Sequence, residues 1–300
     1  MPKHSSEKRA LKAEQRALKV SVRLLMVKLC CCLVFLLLLV AGRAAATTVV
    51  AVKTPLEIVV GADSKVTDTF GNAFAGSACK IVQAGNLFFA YEGLARDRRT
   101  GFDITKTARQ ALQLKPDATV SERVSILTGL VATELFAELA SLKQHDPETY
   151  REKIEGGQTF LKILVAGFEG DDPLLFVRQF RAVQLNSQPA GVSVVPDDCL
   201  ADCREAVVIR SLGETAAIED LPEETPGFWA EGITEGVRRL IETQIAARSE
   251  YVGPPVDILR MDKTGARWIQ KKPSCPAIES RPPSKTSAPR TRRQRALHEH

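Results

Sequence analysis

Short runs of β-branched and apolar residues recur from position 47 onward and predict strands. The run at 47–52 reads TTVVAV, and a second run at 57–62 follows a Thr-Pro turn signal at 54–55. Two such runs joined by a tight turn favour a β-hairpin. Similar runs predict further strands at 80–82, 87–91, 160–167, 174–183, 192–195 and 206–210, with a last strand pair at 255–261 and 266–269.

Apolar positions spaced three and four residues apart predict helices between these strands. The first helix is expected at 103–114 with Asp103 as its N-cap, and a longer one follows Thr119 and Glu122, which have capping-box spacing. A short polar helix ends near residue 157, and another long helix is expected at 226–249. Strands, two helices, strands, a helix and strands make an α+β order, which suits two stacked sheets with helices outside.

The apolar, uncharged segment 29–42 is too short for a typical membrane-spanning helix, which needs about 20 residues. A basic stretch precedes it and three alanines, 44–46, follow it. A basic start, a short apolar middle and an A-x-A end are the parts of a secretory signal. We expect residues 1–46 to be a signal peptide, with Met26 as an alternative start. Cleavage before Thr47 would make the protein secreted or periplasmic, and an uncleaved membrane anchor is the alternative.

The formal net charge of +5 is unevenly distributed. Residues 1–46 carry nine Lys or Arg against two Glu, and residues 271–300 carry eight against two. The remaining residues, 47–270, have a net charge of −8 and form the expected globular domain. An acidic domain lacks the electrostatic footprint of nucleic-acid binding. The basic tail, 271–300, is rich in Pro, Ser and Arg and is expected to be disordered.

A threonine at the start of a chain can be nucleophile and base in one residue. Its hydroxyl attacks, and its α-amine, whose pKa lies near 8, accepts the proton. Cleavage before Thr47 would create such a residue, and the expected hairpin would return Asp63 towards it. Lys80 opens the next strand, and its ammonium, oriented by Asp63, would favour alkoxide character at the hydroxyl. Taken singly, these two residues are also explained as a turn Asp and a solvated Lys at strand ends.

Four stretches of the sequence resemble one known family. They are TTVVAV at 47–52, VGADS at 60–64, KIV at 80–82 and FFAYEG at 88–93. They look like the opening of proteasome β subunits and of the related bacterial heat-shock peptidase subunit, which are N-terminal-nucleophile hydrolases. The resemblance covers about 47–270 and is patchier after residue 93, where its best stretches are 160–168, 173–177 and 252–258.

This resemblance implies a four-layer αββα fold and a threonine-nucleophile peptidase or amidase. Thr47 would be nucleophile and base, with Asp63 and Lys80 as the charged pair that activates it. The Gly93 N–H would be an oxyanion-hole donor. The resemblance implies no cofactor and no metal, a peptide or small amide as substrate, and it leaves a homo-oligomer open. No nucleic-acid partner is expected, and membrane contact is expected only through the signal segment during export.

The supporting residues of the family are matched less closely. Ser211 is a loose match to a supporting Ser, and Ser249, with Glu250 next to it, stands where the family has an Asp. Ala46 stands where family propeptides usually end in Gly, which favours signal peptidase over self-cleavage. The rival from another class is a non-catalytic binding or scaffold subunit of the same fold. A second enzyme alternative is an N-terminal-nucleophile amidase or acylase acting on a small amide.

Cys199 and Cys203 are spaced C-x3-C beside two aspartates. Outside the cytosol such a pair can form a short-loop disulfide, and two free thiols are the alternative. A metal site would need more ligands nearby, and three of the four His residues lie in the leader or at the tail end. We therefore expect no metal at these cysteines.

Overall fold

The computed structural model describes residues 47–67, 73–97, 99–155, 157–200, 203 and 207–279. The expected signal peptide and the last part of the expected tail, 280–300, lie outside the described residues. The described part of the chain is a mixed α+β protein with antiparallel sheets, which confirms the α+β class.

The elements are numbered in chain order over the described residues. The strands are β1 Thr48–Lys53, β2 Glu57–Ala62, β3 Lys65–Thr67, β4 Ala73–Ser77, β5 Ile81–Ala84, β6 Leu87–Gly93, β7 Arg96–Asp97, β8 Phe102–Asp103, β9 Thr159–Glu169, β10 Asp172–Leu185, β11 Gln188–Pro196, β12 Val208–Gly213, β13 Asp257–Asp262 and β14 Gly265–Gln270. The helices are α1 Ile104–Gln113, α2 Val120–His145, α3 Pro147–Lys153, α4 Leu221–Glu224 and α5 Ile233–Ala247.

The first five-stranded sheet is built around the predicted hairpin. β1 and β2 pair antiparallel, with Val50 opposite Gly61, so the hairpin prediction is confirmed. The strand order is β12-β1-β2-β13-β14. β1 is paired on both sides, and its alternate side chains pack against the second sheet and against α5, so all six of its residues are buried. Antiparallel pairing also brings the end of β2 and the end of β12 to the start of β1, where Thr47 lies.

The second five-stranded sheet has the order β11-β10-β9-β6-β5. Its long central strands, β9 and β10, form the strand pair predicted around the turn at 169–173. β6 pairs with β9, with Gly93 opposite Leu161 at the end of the strand. Two small two-stranded sheets, β3-β4 and β7-β8, complete the strands and have no counterpart among the sequence predictions.

Three hydrophobic clusters hold the sheets and helices together. One contains side chains from both five-stranded sheets, among them Val49, Ala51, Val60, Phe88, Leu164 and Ala166. A second joins α1 and α2 to the second sheet. The third joins α5 to the first sheet, and there a Cβ added to Gly61 would lie 2.5 Å or less from Val237 and Ile241. The hairpin that leads to Thr47 is therefore packed tightly against α5.

α2 is confirmed in its start and in its apolar face. Thr119 and Glu122 form the predicted capping box. By length and composition this helix could cross a membrane, with a mean hydropathy of 1.4 over its most apolar window. Its predicted apolar positions are completely buried in the cluster with the second sheet, so that it is a core helix here: Val124, Leu127, Val131, Leu135 and Leu139.

The last long helix begins later than predicted. It starts at Ile233 rather than at 226, after the short α4 and a series of turns. Gly227 and Gly232 both have positive φ, 69° and 93°, which an α-helix does not contain. The apolar period that predicted this helix also begins only at Ile233.

Residues 271–279 correct the predicted boundary of the tail at 270. Lys272 is buried, and Cys275 is joined by a disulfide to Cys79. This short segment, 271–279, is called the C-terminal strap below. A composition rich in Pro and Ser predicted disorder, but one ion pair and one disulfide fix the strap to the domain.

Candidate active site

Thr47 is fixed by its backbone between β1 and the end of β12. Its carbonyl oxygen accepts a hydrogen bond from the Glu214 N–H at 2.8 Å. Gly213 has a φ of 88°, and a Cβ added there would lie 1.6 Å from the Thr47 carbonyl oxygen. Only glycine therefore allows β12 to approach Thr47 this closely. Thr47 is partly exposed and lies directly before β1.

Asp63 is completely buried and its carboxylate is bound on both oxygens. Oδ1 accepts from the Thr48 N–H at 2.8 Å. Oδ2 accepts from the Lys65 N–H at 3.0 Å and from the Gly253 N–H at 3.1 Å. Three backbone donors from three segments thus orient the carboxylate beside the residue that follows Thr47. The hairpin brings Asp63 there, as the sequence predicts.

Lys80 meets the same carboxylate oxygen that binds Thr48. Its Nζ lies 2.5 Å from Asp63 Oδ1, and its side chain is only 7% exposed. Among the described residues, Asp63 is its only hydrogen-bond partner, which leaves two ammonium N–H donors for other groups. Burial lowers the pKa of Lys80 below its ordinary value, and the neighbouring Asp63 opposes that effect. The structure therefore brings Asp63 and Lys80 together one residue from Thr47.

Gly93 lies at the exposed end of β6 with a φ of 99°. A Cβ added there would lie 2.2 Å from the Phe160 carbonyl oxygen, so no other residue fits. The preceding Glu92 reaches across to the first sheet, where its Oε2 accepts from the Gly213 N–H at 2.6 Å. Gly213 in turn touches Thr47, so this bond connects the end of β6 with the predicted nucleophile.

A second buried ion pair lies beside the first, and sequence reasoning missed it. Lys272 Nζ is 3.0 Å from Asp257 Oδ2, and both side chains are almost completely buried. The same ammonium donates to Ser64 Oγ and to the Ala78 carbonyl. One signal could have found this strap: once the leader is set aside, four cysteines remain, and an exported protein can pair them as two disulfides.

The structure places the three weak supporting residues at exposed positions. Ser211 is exposed and lies opposite Val50 on β12, not opposite Thr47. Ser249 and Glu250 are also exposed, and Lys65 binds only their backbone carbonyls, at 2.7 and 2.8 Å.

Glu214 occupies the place next to Thr47 instead. It is 8% exposed, and its carbonyl oxygen accepts from the Thr48 hydroxyl at 2.7 Å. Arg248 lies between its carboxylate, at 3.9 Å, and that of Glu250, at 3.1 Å. The charged groups near the start of β1 therefore include an Arg and a buried Glu that the sequence analysis did not select.

Cys199 and Cys203 form a disulfide in the structure. Lys53 points at this short loop and donates to Cys199 Sγ at 3.2 Å and to the Leu200 carbonyl at 3.3 Å. The bridge therefore belongs to the packing at the far end of β1. The described residues contain no group of three or more His, Cys, Asp or Glu side chains placed to hold a metal ion.

Comparison of the sequence with known proteins assigns it to no family. No family model matches the sequence. No curated protein matches it either. The site consists of a partly exposed Thr47, a buried pair of Asp63 and Lys80 one residue away, and a second buried pair, Asp257 and Lys272, beside them.

Proposed function

We propose that the protein is an exported amide hydrolase, a peptidase in the first instance, whose nucleophile is Thr47 after signal-peptide removal. One observation carries the proposal: a single carboxylate oxygen, Asp63 Oδ1, binds both the Thr48 N–H and the Lys80 ammonium. A buried cation that is tied to the backbone beside a threonine is the arrangement needed to stabilise negative charge on that hydroxyl.

The chemistry runs through an acyl-enzyme. The Thr47 α-amine accepts the hydroxyl proton while Oγ1 attacks the carbonyl carbon of the amide. The resulting oxyanion would be stabilised by the Gly93 N–H, and the amine returns its proton to the leaving nitrogen as the C–N bond breaks. Water then attacks the ester, giving up a proton to the α-amine. The α-ammonium returns this proton to Oγ1 as the ester C–O bond breaks, which releases the carboxylic acid and restores Thr47.

The proposed architecture is a four-layer αββα sandwich. The hydrophobic cluster between the two sheets, the cluster of α1 and α2 with the second sheet and the cluster of α5 with the first sheet support that order of layers. In this arrangement Thr47 precedes β1 where the strands of the sandwich end, and its partial exposure leaves it accessible to a substrate.

Two features support export. The short apolar segment before the alanines at 44–46 is typical of a signal peptide. The two disulfides, Cys79–Cys275 and Cys199–Cys203, are of the kind that persists in oxidising compartments. Export matters to the mechanism, because the Thr47 nitrogen is an amide until the bond after Ala46 is cleaved.

The test compares three chains: two that differ only at the start, and the variant Thr47→Ala. Of the first two, one begins at Thr47, and the other retains Ala46 and therefore keeps every side chain of the site but blocks the amine. All three are assayed against a panel of fluorogenic peptide amides and small acyl amides. We expect hydrolysis only by the chain that begins at Thr47, and none after Thr47→Ala. Equal activity of the three chains would refute the proposal, as would activity in none of them.

A further inference from the structure

Lys272 binds the Asp257 carboxylate with both its side chain and its backbone. Its Nζ lies 3.0 Å from Asp257 Oδ2, and its backbone N–H donates to Oδ1 at 2.8 Å. The two side chains are 1% and 2% exposed. Desolvating two charges costs several kcal/mol per ion, so a buried pair is weak evidence for stability alone. A role in fixing the neighbouring groups is the alternative that the contacts support.

The remaining contacts of Lys272 connect it to the two segments that carry Asp63 and Lys80. The ammonium donates to the hydroxyl of Ser64, which directly follows Asp63. It also donates to the carbonyl of Ala78, two residues before Lys80. One buried ammonium therefore holds the end of β2 and the start of β5 in a fixed relation.

A disulfide ties the C-terminal strap covalently to one of these two places, the start of β5. Cys79 directly precedes Lys80, and Cys275 follows Lys272 by three residues. Cys275 Sγ also lies 3.5 Å from Asp257 Oδ2. The C-terminal strap is thus anchored at the residue next to Lys80, and this anchor keeps the second ammonium beside the site.

We propose that Lys272 is a positioning residue of the Thr47 site, which holds Asp63 and Lys80 in place and presents a second positive charge to Lys80. This inference rests on the proposed function. Among the described residues, the charges that act on Lys80 are Asp63 just after β2, Asp257 from β13 and Lys272 from the strap. Burial and the Asp63 carboxylate are the largest influences on the pKa of Lys80, and Lys272 lowers it more than Asp257 raises it.

The first test reads this coupling without a substrate. Lysine side chains of the mature protein are labelled with ¹³C, the Lys80 signal is assigned from Lys80→Arg, and its titration is followed by NMR. The double variant Asp257→Asn/Lys272→Met removes both charges and leaves neither unpaired. We expect the Lys80 midpoint to rise, because Lys272 lowers the pKa of Lys80 more than Asp257 raises it and the variant removes both charges. The surface variant Arg238→Met, which breaks an ion pair on α5, is the control and leaves the midpoint unchanged.

The second test reads the reaction. In the double variant we expect kcat to fall about 10-fold or more with KM nearly unchanged, since misplacement of a catalytic group slows the chemical step. We expect the alkaline limb of the kcat/KM profile to shift to higher pH together with the NMR midpoint of Lys80. The single variant Lys272→Arg retains the positive charge, and we expect it to retain most of the wild-type kcat. If the double variant fails to fold, Ser64→Ala takes its place, because it removes one Lys272 contact and keeps both ion pairs. We expect a similar loss of kcat in Ser64→Ala.

An unchanged Lys80 midpoint in the folded double variant would overturn the inference, as would an unchanged kcat in the double variant or, in its place, in Ser64→Ala. The two proposals fail differently. If the wild-type chain hydrolyses no amide, the proposed function is refuted, whereas the NMR titration still decides whether Lys272 acts on Lys80.

Discussion

At the scale of single residues, the geometry of the site depends on one carboxylate. Asp63 binds three backbone N–H groups and one ammonium while completely buried. The sequence could place Asp63 beside Thr47, because a hairpin brings its second strand back to its start. Ser211 lies opposite Val50, because the register of β12 against β1, which local patterns do not reveal, decides which residues face each other.

Replacement of Lys80 by Met tests the role of its ammonium. We expect kcat to fall by a factor of about 10² to 10³, the range for loss of one electrostatic stabiliser, with little change in KM. We also expect a loss of stability, because Asp63 would remain buried without its cationic partner. Lys106→Met, at an exposed position of α1, is the control and should change neither quantity. A Lys80→Met enzyme with normal kcat would contradict the assigned role.

The pH profile of kcat/KM follows from two groups. The Thr47 α-amine must be neutral, so activity should rise through its pKa near 8. Lys80 must be charged, and because burial lowers its pKa from the ordinary 10.5, activity should fall again at a pH below that value. Lys80→Arg retains its charge at high pH, so any residual activity should lose the alkaline limb. An alkaline limb that persists in Lys80→Arg would assign it to another group.

At the scale of elements, close backbone approaches decide where Thr47 lies. The hairpin, α1 and the capping box of α2 follow local patterns, and the sequence predicted them. The C-terminal strap depends instead on a contact between residues nearly 200 positions apart, for which local patterns carry no signal. The approach of Gly213 to Thr47 belongs to this second kind.

Gly213→Ala should displace Thr47. Its Cβ would lie 1.6 Å from the Thr47 carbonyl oxygen, and φ is positive, so β12 or the start of β1 has to move. A shift of about 1 Å can cost about 100-fold in rate. Gly191→Ala on β11 is the matched control, because its Cβ would meet no atom within 4 Å. Comparable activities of the two variants, measured with the best amide substrate, would contradict the placement of Thr47.

At the scale of the whole molecule, the two disulfides differ in what they restrain. Cys79–Cys275 closes a loop of 196 positions, whereas Cys199–Cys203 closes one of only 4. The sequence analysis considered only the short pair, since spacing makes it visible. The long pair connects the strap to the residue before Lys80 and therefore combines stability with the geometry of the site.

The two bridges should contribute differently to the free energy of unfolding. In the chain-entropy model the long loop is worth about 5 kcal/mol and the short one about 2 kcal/mol, with the measured values often smaller. We therefore expect Cys79→Ser/Cys275→Ser to lower the free energy of unfolding more than Cys199→Ser/Cys203→Ser, as measured by urea denaturation. We also expect only the first double variant to lower kcat. A larger loss from the short bridge would contradict this assignment.

The central claim, that Thr47 is the nucleophile, is tested most directly by locating the acyl group. The chain beginning at Thr47 is mixed with an activated peptide ester, quenched in acid and analysed by intact mass and peptide mapping, with Lys80→Met as a control that retains the free amine. The account predicts one acyl group on Thr47 in the wild-type chain and far less in the control. Acylation at another residue, or equal labelling of Thr47 in both chains, would contradict it.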